Sequence, residues 1–296
     1  MMPNFLIIGA AKSGTTSLYN YLKQHPQIYV SPIKETEFFA FEKDNLEFNR
    51  EGNLWRPTIT DLESYQKQFE NVSSEKAIGE ISTVYLYSEK AVERIKYYIP
   101  DIKLIAILRN PVDRAYSHFF HHIRDGYEPI NKFENAIKEE EDRIKRGWSW
   151  NWHYIKLGFY HNQLRRYYKN FNKSQIKIYI YEDFIYEQKK FFESLFNFIE
   201  VEKFFKPNTS KKYNVTGIPY NKFLHKLYSK QSFIKKILKI IIPCDIRESI
   251  KIMIRNRNLI KPQMSIKTKN ALIELYRDDV LRLEKLIDRD LSIWLE

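Results

Sequence analysis

The sequence predicts an α/β fold, a single domain with a central, mainly parallel sheet flanked by helices, and three observations carry that prediction. Phe5, Leu6, Ile7 and Ile8 form a short apolar run that ends in a glycine-containing turn and then opens a helix near Thr15. Residues 104–108 repeat the pattern and run into Arg109-Asn110-Pro111. Short apolar runs bounded by turn residues suit strands covered on both faces, as in parallel sheets. The 296 residues, 43% hydrophobic and 16% aromatic, supply enough apolar surface for one large core.

The first run continues as Gly9-Ala10-Ala11-Lys12-Ser13-Gly14-Thr15-Thr16-Ser17. Helix-start N–H groups have no intrahelical partners and favour anions. With the Lys12 ammonium and the hydroxyls of Ser13, Thr15, Thr16 and Ser17 they would make an anion cradle, and Gly9 and Gly14 would permit the turn. The other reading is an ordinary strand-to-helix turn. The lysine precedes the second glycine, unlike the nucleotide-triphosphate loop G-x-x-x-x-G-K-[ST], so neither the lysine nor the magnesium spacing of that loop is reproduced.

His25-Pro26 ends the first helix, and residues 27–30 read as a second strand. The following loop holds Glu35 and Glu37 ahead of Phe38 and Phe39. Either carboxylate could serve as a general base, or the loop is a solvated turn anchored by two rings. Residues 42–76 read as helix and loop anchored by Trp55, Tyr65 and Phe69. Residues 77–82 read as a strand ending in a polar turn, and 88–98 as a helix stopped by Pro100.

After the strand at 104–108, Asn110 is a good N-cap and Pro111 suits a first helical position. Arg109 then sits at the carboxyl edge of the sheet, where open α/β folds bind ligands. A magnesium-dependent enzyme would place an aspartate there, whereas a guanidinium forks an anion without metal. Capping a helix or pairing with Asp113 is the alternative. His118 and His122 have a four-residue, zinc-compatible spacing but lack accompanying carboxylates, so no metal is expected and a cleft wall is the better reading. Trp148, Trp150 and Trp152 suit either sugar stacking or packing.

The remaining chain is mostly architectural. Residues 176–181 read as a strand, with Tyr160 and Tyr181 as core residues and Asp183 as a cap or turn residue. Residues 221–296 are expected to be mostly helical within the same 1–296 domain. Segment 232–258 could present a basic face to a membrane surface or acidic glycan, and 268–294 reads as one helix with Leu272, Leu275, Tyr276, Val280, Leu283 and Leu286 on its apolar side. The single cysteine, Cys244, rules out an internal disulfide and reads as a buried structural residue. With neither a leader pattern nor a charge-free membrane-length run in view, the expectation is a cytoplasmic protein. The net charge of +12 favours an anionic ligand.

Taken together, Lys12 to Ser17 after one strand and Arg109-Asn110-Pro111 with Arg114-Ala115-Tyr116-Ser117 after another resemble the sulfotransferases that use 3′-phosphoadenosine 5′-phosphosulfate (PAPS). The resemblance implies a P-loop-like architecture in which Lys12, Ser13, Gly14, Thr15, Thr16 and Ser17 hold the 5′-phosphosulfate while Arg109 and Ser117 hold the 3′-phosphate. Lys34-Glu35-Thr36-Glu37-Phe38-Phe39 is similar to the segment of the heparan-sulfate branch that supplies a catalytic glutamate, which singles out Glu35, with Lys34 as an added contact. Lys12 would neutralise charge on the leaving oxygen. Gly79-Glu80-Ile81-Ser82 departs from the family pattern, which often has lysine after the glutamate. Residues 211–219 resemble a basic loop over the 3′-phosphate. The implied acceptor is a glycan or glycolipid, with no nucleic acid; a metabolite kinase or a non-catalytic polyanion binder are the competing functions.

Overall fold

The computed structural model describes residues 1–44, 46, 58–211, 213, 218–219, 259–260 and 262–296. Five strands, β1 (Phe5–Gly9), β2 (Ile28–Val30), β3 (Ala77–Ile81), β4 (Lys103–Leu108) and β5 (Ile176–Ile180), form a parallel sheet in the order β2-β3-β1-β4-β5. The apolar runs are strands because successive side chains serve opposite cores. Phe5 and Ile7 pack with Leu18 and Leu22 of the helix Thr15–Leu22 and with Phe191 and Leu195 of the helix Gln188–Phe198. Leu6 and Ile8 pack with Ile95 of the helix Glu89–Tyr98, Phe119 of Pro111–Asp125 and Leu164 of Tyr160–Asn170.

Sheet order places the ligand edge. The chain leaves β1 toward β2 and leaves β4 toward β5, in opposite directions, which opens a crevice between their carboxyl ends. Close packing on the other side of β1 requires Gly79, since a Cβ there would fall 2.0 Å from the Phe5 ring.

Several expectations change in detail. β5 stops at Ile180 and Tyr181 already opens the helix Tyr181–Tyr186, because the polar Glu182-Asp183 pair suits a helix first turn. The C-terminal helix is Ile266–Ile287 rather than 268–294. Asp288 turns left-handed at φ 52°, and a short turn at Ser292–Leu295 folds Leu291 and Trp294 back into the core. Leu275 is 50% exposed and does not share the buried stripe of Leu272, Tyr276, Val280 and Leu283. Ser88 caps the helix Glu89–Tyr98 by accepting from the Ala91 amide. Tyr65 and Phe69 are buried as expected. Trp55, Cys244 and segment 232–258 lie outside the described residues. Among the described residues no helix is long and apolar enough to cross a membrane.

Candidate active site

A cavity of about 620 Å³ opens at the carboxyl edge of the sheet, and each of the sheet's five strands delivers lining residues past its end. Lys12 and Gly14 to Ser17 follow β1, Lys34 and Glu35 follow β2, Thr83 follows β3, Arg109 follows β4 and Tyr181 follows β5. Its size lies in the range of small-ligand sites.

The cradle after β1 is built from backbone. Gly14 is the N-cap of the helix Thr15–Leu22 at φ 80°, with no side-chain cap. The first intrahelical bond is Leu18 N–H to the Gly14 carbonyl at 3.1 Å, so the amides before Leu18 stand outside the helical ladder. Glycine is required there by both φ and space, because a Cβ would meet the Phe184 ring at 2.9 Å. Lys12 is also left-handed, at φ 69°. Such strain in a non-glycine residue marks functional loops. Ser13 is fully buried beneath the loop rather than on the cavity wall, and among the described residues its Oγ has no hydrogen-bond partner.

Arg109 reaches the same cavity from β4. Its Nη1 donates to the Lys12 carbonyl at 3.0 Å, and its guanidinium lies over the Tyr181 ring, 4.7 Å from the centroid. Tyr160, fully buried, donates to the Arg109 carbonyl at 3.0 Å. Asn110 is the cap, its Oδ1 accepting from the Val112 and Asp113 amides at 2.9 and 3.3 Å, so Arg109 is left for the cavity. Ser117 and His118 line the cavity about two turns into the helix Pro111–Asp125, and His121 lines it from the next turn.

Glu35 occupies the opposite wall. Its Oε2 accepts from the Thr83 amide at 2.7 Å and the Thr83 hydroxyl at 3.1 Å, while Oε1 pairs with the Lys34 ammonium. The structure separates the two candidate bases. Glu37 is off the cavity, with its N–H given to Ser82 Oγ at 3.0 Å and its Oε2 accepting from Thr58 at 3.4 Å.

The histidines and tryptophans also divide. His121 is pushed well below its ordinary pKa, first by burial and then by the Lys12 charge, so it is neutral at pH 7. His122 turns away to pair its Nδ1 with the Tyr154 hydroxyl at 2.9 Å. Among the described residues no group of three or more His, Cys, Asp or Glu gathers in a metal-holding arrangement. Trp150 and its neighbour Asn151 line the cavity, Trp152 packs on His122, and Trp148 lies under Arg143 at 4.7 Å. Of the basic segment 211–219, Lys211 is anchored by Tyr21, whose hydroxyl donates to its carbonyl at 2.9 Å, and Tyr213 lines the cavity. Lys212 and residues 214–217 lie outside the described residues.

Sequence reasoning missed Thr83 and Tyr181. A hydroxyl immediately beyond the predicted strand at 77–82 was the available signal for the first. Tyr181 carried none, since its place in the wall follows from where β5 stops.

The sulfotransferase family model matches residues 3–206, which contain the whole five-stranded sheet and the cavity-lining loops that carry Lys12 and Arg109. A solved sulfotransferase structure from Alicyclobacillus acidocaldarius superposes with a TM-score of 0.77 and 32% identity, covering 100% of both chains. The membrane-associated sulfotransferase kil1 of Dictyostelium discoideum is 35% identical over 152 residues, 49% of this chain and 29% of that protein. The bifunctional heparan sulfate N-deacetylase/N-sulfotransferase 4 of Mus musculus is 35% identical over 120 residues, 40% of this chain and 13% of that protein. The chain thus spans less than a third of the length of these curated relatives. From the extent of the family match and the full-length structural likeness, the chain belongs to the sulfotransferase family.

Proposed function

We propose that the chain, working as one domain, transfers a sulfuryl group from PAPS to a hydroxyl or amino group of a carbohydrate acceptor. The observation that carries this reading is that Lys12 and Arg109 reach one crevice from neighbouring strand ends, with Glu35 on the facing wall. A donor with anions at both ends matches two separate cationic grips. In this reading the uncapped helix start, Lys12 and the hydroxyls of Thr15, Thr16 and Ser17 hold the 5′-phosphosulfate, while Arg109 and Ser117 hold the 3′-phosphate.

Glu35 takes the proton from the acceptor O–H or N–H as that atom attacks sulfur in line. The sulfur–oxygen bond to the 5′-phosphate breaks, and adenosine 3′,5′-bisphosphate leaves with the electron pair. Lys12 stabilises the charge that grows on the bridging oxygen, an interaction strongest in the transition state. A glycan or glycolipid acceptor is supported by Trp150 on the wall, since flat apolar rings suit pyranose faces, and by the named heparan sulfate activity of the mouse relative.

Titration calorimetry with adenosine 3′,5′-bisphosphate tests the donor site. The expected result is 1:1 binding that needs no added magnesium and exceeds binding of ATP. Preference for ATP with magnesium overturns the reading. Transfer of labelled sulfuryl groups from PAPS onto a panel of glycans, glycolipids and phenols then assigns the acceptor, and label only on phenols removes the carbohydrate assignment.

A further inference from the structure

Glu80 is a buried carboxylate that the proposed chemistry does not use. It is fully buried on β3, off the cavity, and burial raises its pKa. Among the described residues it has no cation partner; four hydroxyls serve it instead. Thr36 Oγ1 and Ser82 Oγ donate to Oε1, the former at 2.8 Å, and the Tyr65 and Tyr85 hydroxyls donate to Oε2 at 3.1 and 2.9 Å. A buried carboxylate is costly to desolvate, and four donors satisfy its lone pairs.

Three of those hydroxyls have a second contact, and each leads to the loop that carries Glu35. Ser82 Oγ accepts the Glu37 amide at 3.0 Å. Tyr85 Oη accepts the Phe39 amide at 3.4 Å and lies 3.2 Å from Thr36 Oγ1. Thr36 is the residue after Glu35, and Thr83, which holds the Glu35 carboxylate, follows Ser82. The loop needs such anchoring. Glu35 and Glu37 are both left-handed, at φ 63° and 59°, a conformation that costs an L-residue about 1 kcal/mol or more unless its surroundings fix it.

We propose that Glu80 is a positioning residue for Glu35: through Thr36, Ser82 and Tyr85 it locks the loop geometry that aims the base, without touching substrate. The proposal rests on the sulfotransferase reading above. Glutamine at 80 keeps the shape but brings an amide donor among hydroxyls that already donate. Misplacing a catalytic group by an ångström from a distance can cost about 100-fold.

The test is a comparison of Glu80→Gln with wild type in a PAPS-dependent transfer assay. The expected variant binds adenosine 3′,5′-bisphosphate with unchanged affinity and has an unchanged KM for PAPS, but its kcat falls about 10- to 100-fold. In a Glu35→Gln background the same substitution has no further effect, because its route is through Glu35. A wild-type kcat for Glu80→Gln overturns the proposal, as does an equal further loss on top of Glu35→Gln. Should Glu80→Gln not fold, Ser82→Ala breaks the next link and must show the same kcat-only loss; a wild-type rate there also overturns it. A wild-type protein that neither binds the bisphosphate nor transfers sulfuryl groups overturns the functional reading itself, which separates the two failures.

Discussion

The two walls of the cavity are finished to different degrees. The Glu35 wall is closed on itself: the carboxylate is held by Thr83 and Lys34, and behind it Glu80 collects four hydroxyls. The cradle wall is open by comparison, with a helix start that no side chain caps. On the proposed function the difference follows from what each wall would do. A base must be aimed before the substrate arrives, so its hydrogen bonds are internal. An anion site keeps donors outside the internal ladder, so that a phosphate or sulfate supplies what the fold leaves out.

Breaking the closed wall gives the largest effect. Glu35→Gln is expected to lower kcat by about 10²- to 10⁴-fold with donor affinity unchanged, measured by initial rates beside calorimetry. If turnover persists, the proton acceptor is elsewhere on the wall. Breaking the open wall acts on affinity. Arg109→Ala removes a charge-assisted grip of about 1.5–3 kcal/mol, so binding of adenosine 3′,5′-bisphosphate weakens about 10- to 100-fold, and an unchanged dissociation constant would separate Arg109 from the 3′-phosphate.

The smallest effect sharpens the contrast between titratable groups on the walls and those packed behind them. His153 is buried beside Trp152, its Nδ1 paired with the Tyr87 hydroxyl at 2.8 Å, and desolvation lowers its pKa to about 4. The unfolded chain therefore binds the proton first, from about pH 6.5 downward, and stability contributed by neutral His153 is lost as pH falls from there toward 4. At pH 5 the loss is about 2 kcal/mol, read as a lower melting temperature than at pH 7.5 that His153→Gln flattens. Bisphosphate affinity should not follow the same curve.

What could be read from sequence follows the same division. The cradle was legible because strand, glycine turn and helix are contiguous, as were β4 and Arg109. Glu35 was singled out only through its resemblance to a known segment; the residue chemistry alone left Glu37 equal to it, and what separates them is tertiary, Glu35 being held by Thr83 on the cavity wall and Glu37 bonded to Ser82 and Thr58 away from it. Thr83 and Tyr181 were invisible as wall residues because they enter it from strands far apart in sequence, joined only by the sheet order. The Trp148, Trp150 and Trp152 cluster looked uniform, yet Trp148 and Trp152 pack edge to face, 5.2 Å between ring centroids, while Trp150 alone of the three lines the cavity.

The bond from Arg109 to the Lys12 carbonyl also bears on how such a site drifts over generations. Arg109 supports the backbone on which Lys12 holds its unfavourable angle, so exchange at either position changes the environment of the other. Neighbours coupled in this way do not have additive effects. The pair is therefore one heritable unit spread across 97 positions: a change at one end shifts which residues the other end tolerates, and a tally of single substitutions along this loop would misjudge the cost of changing both.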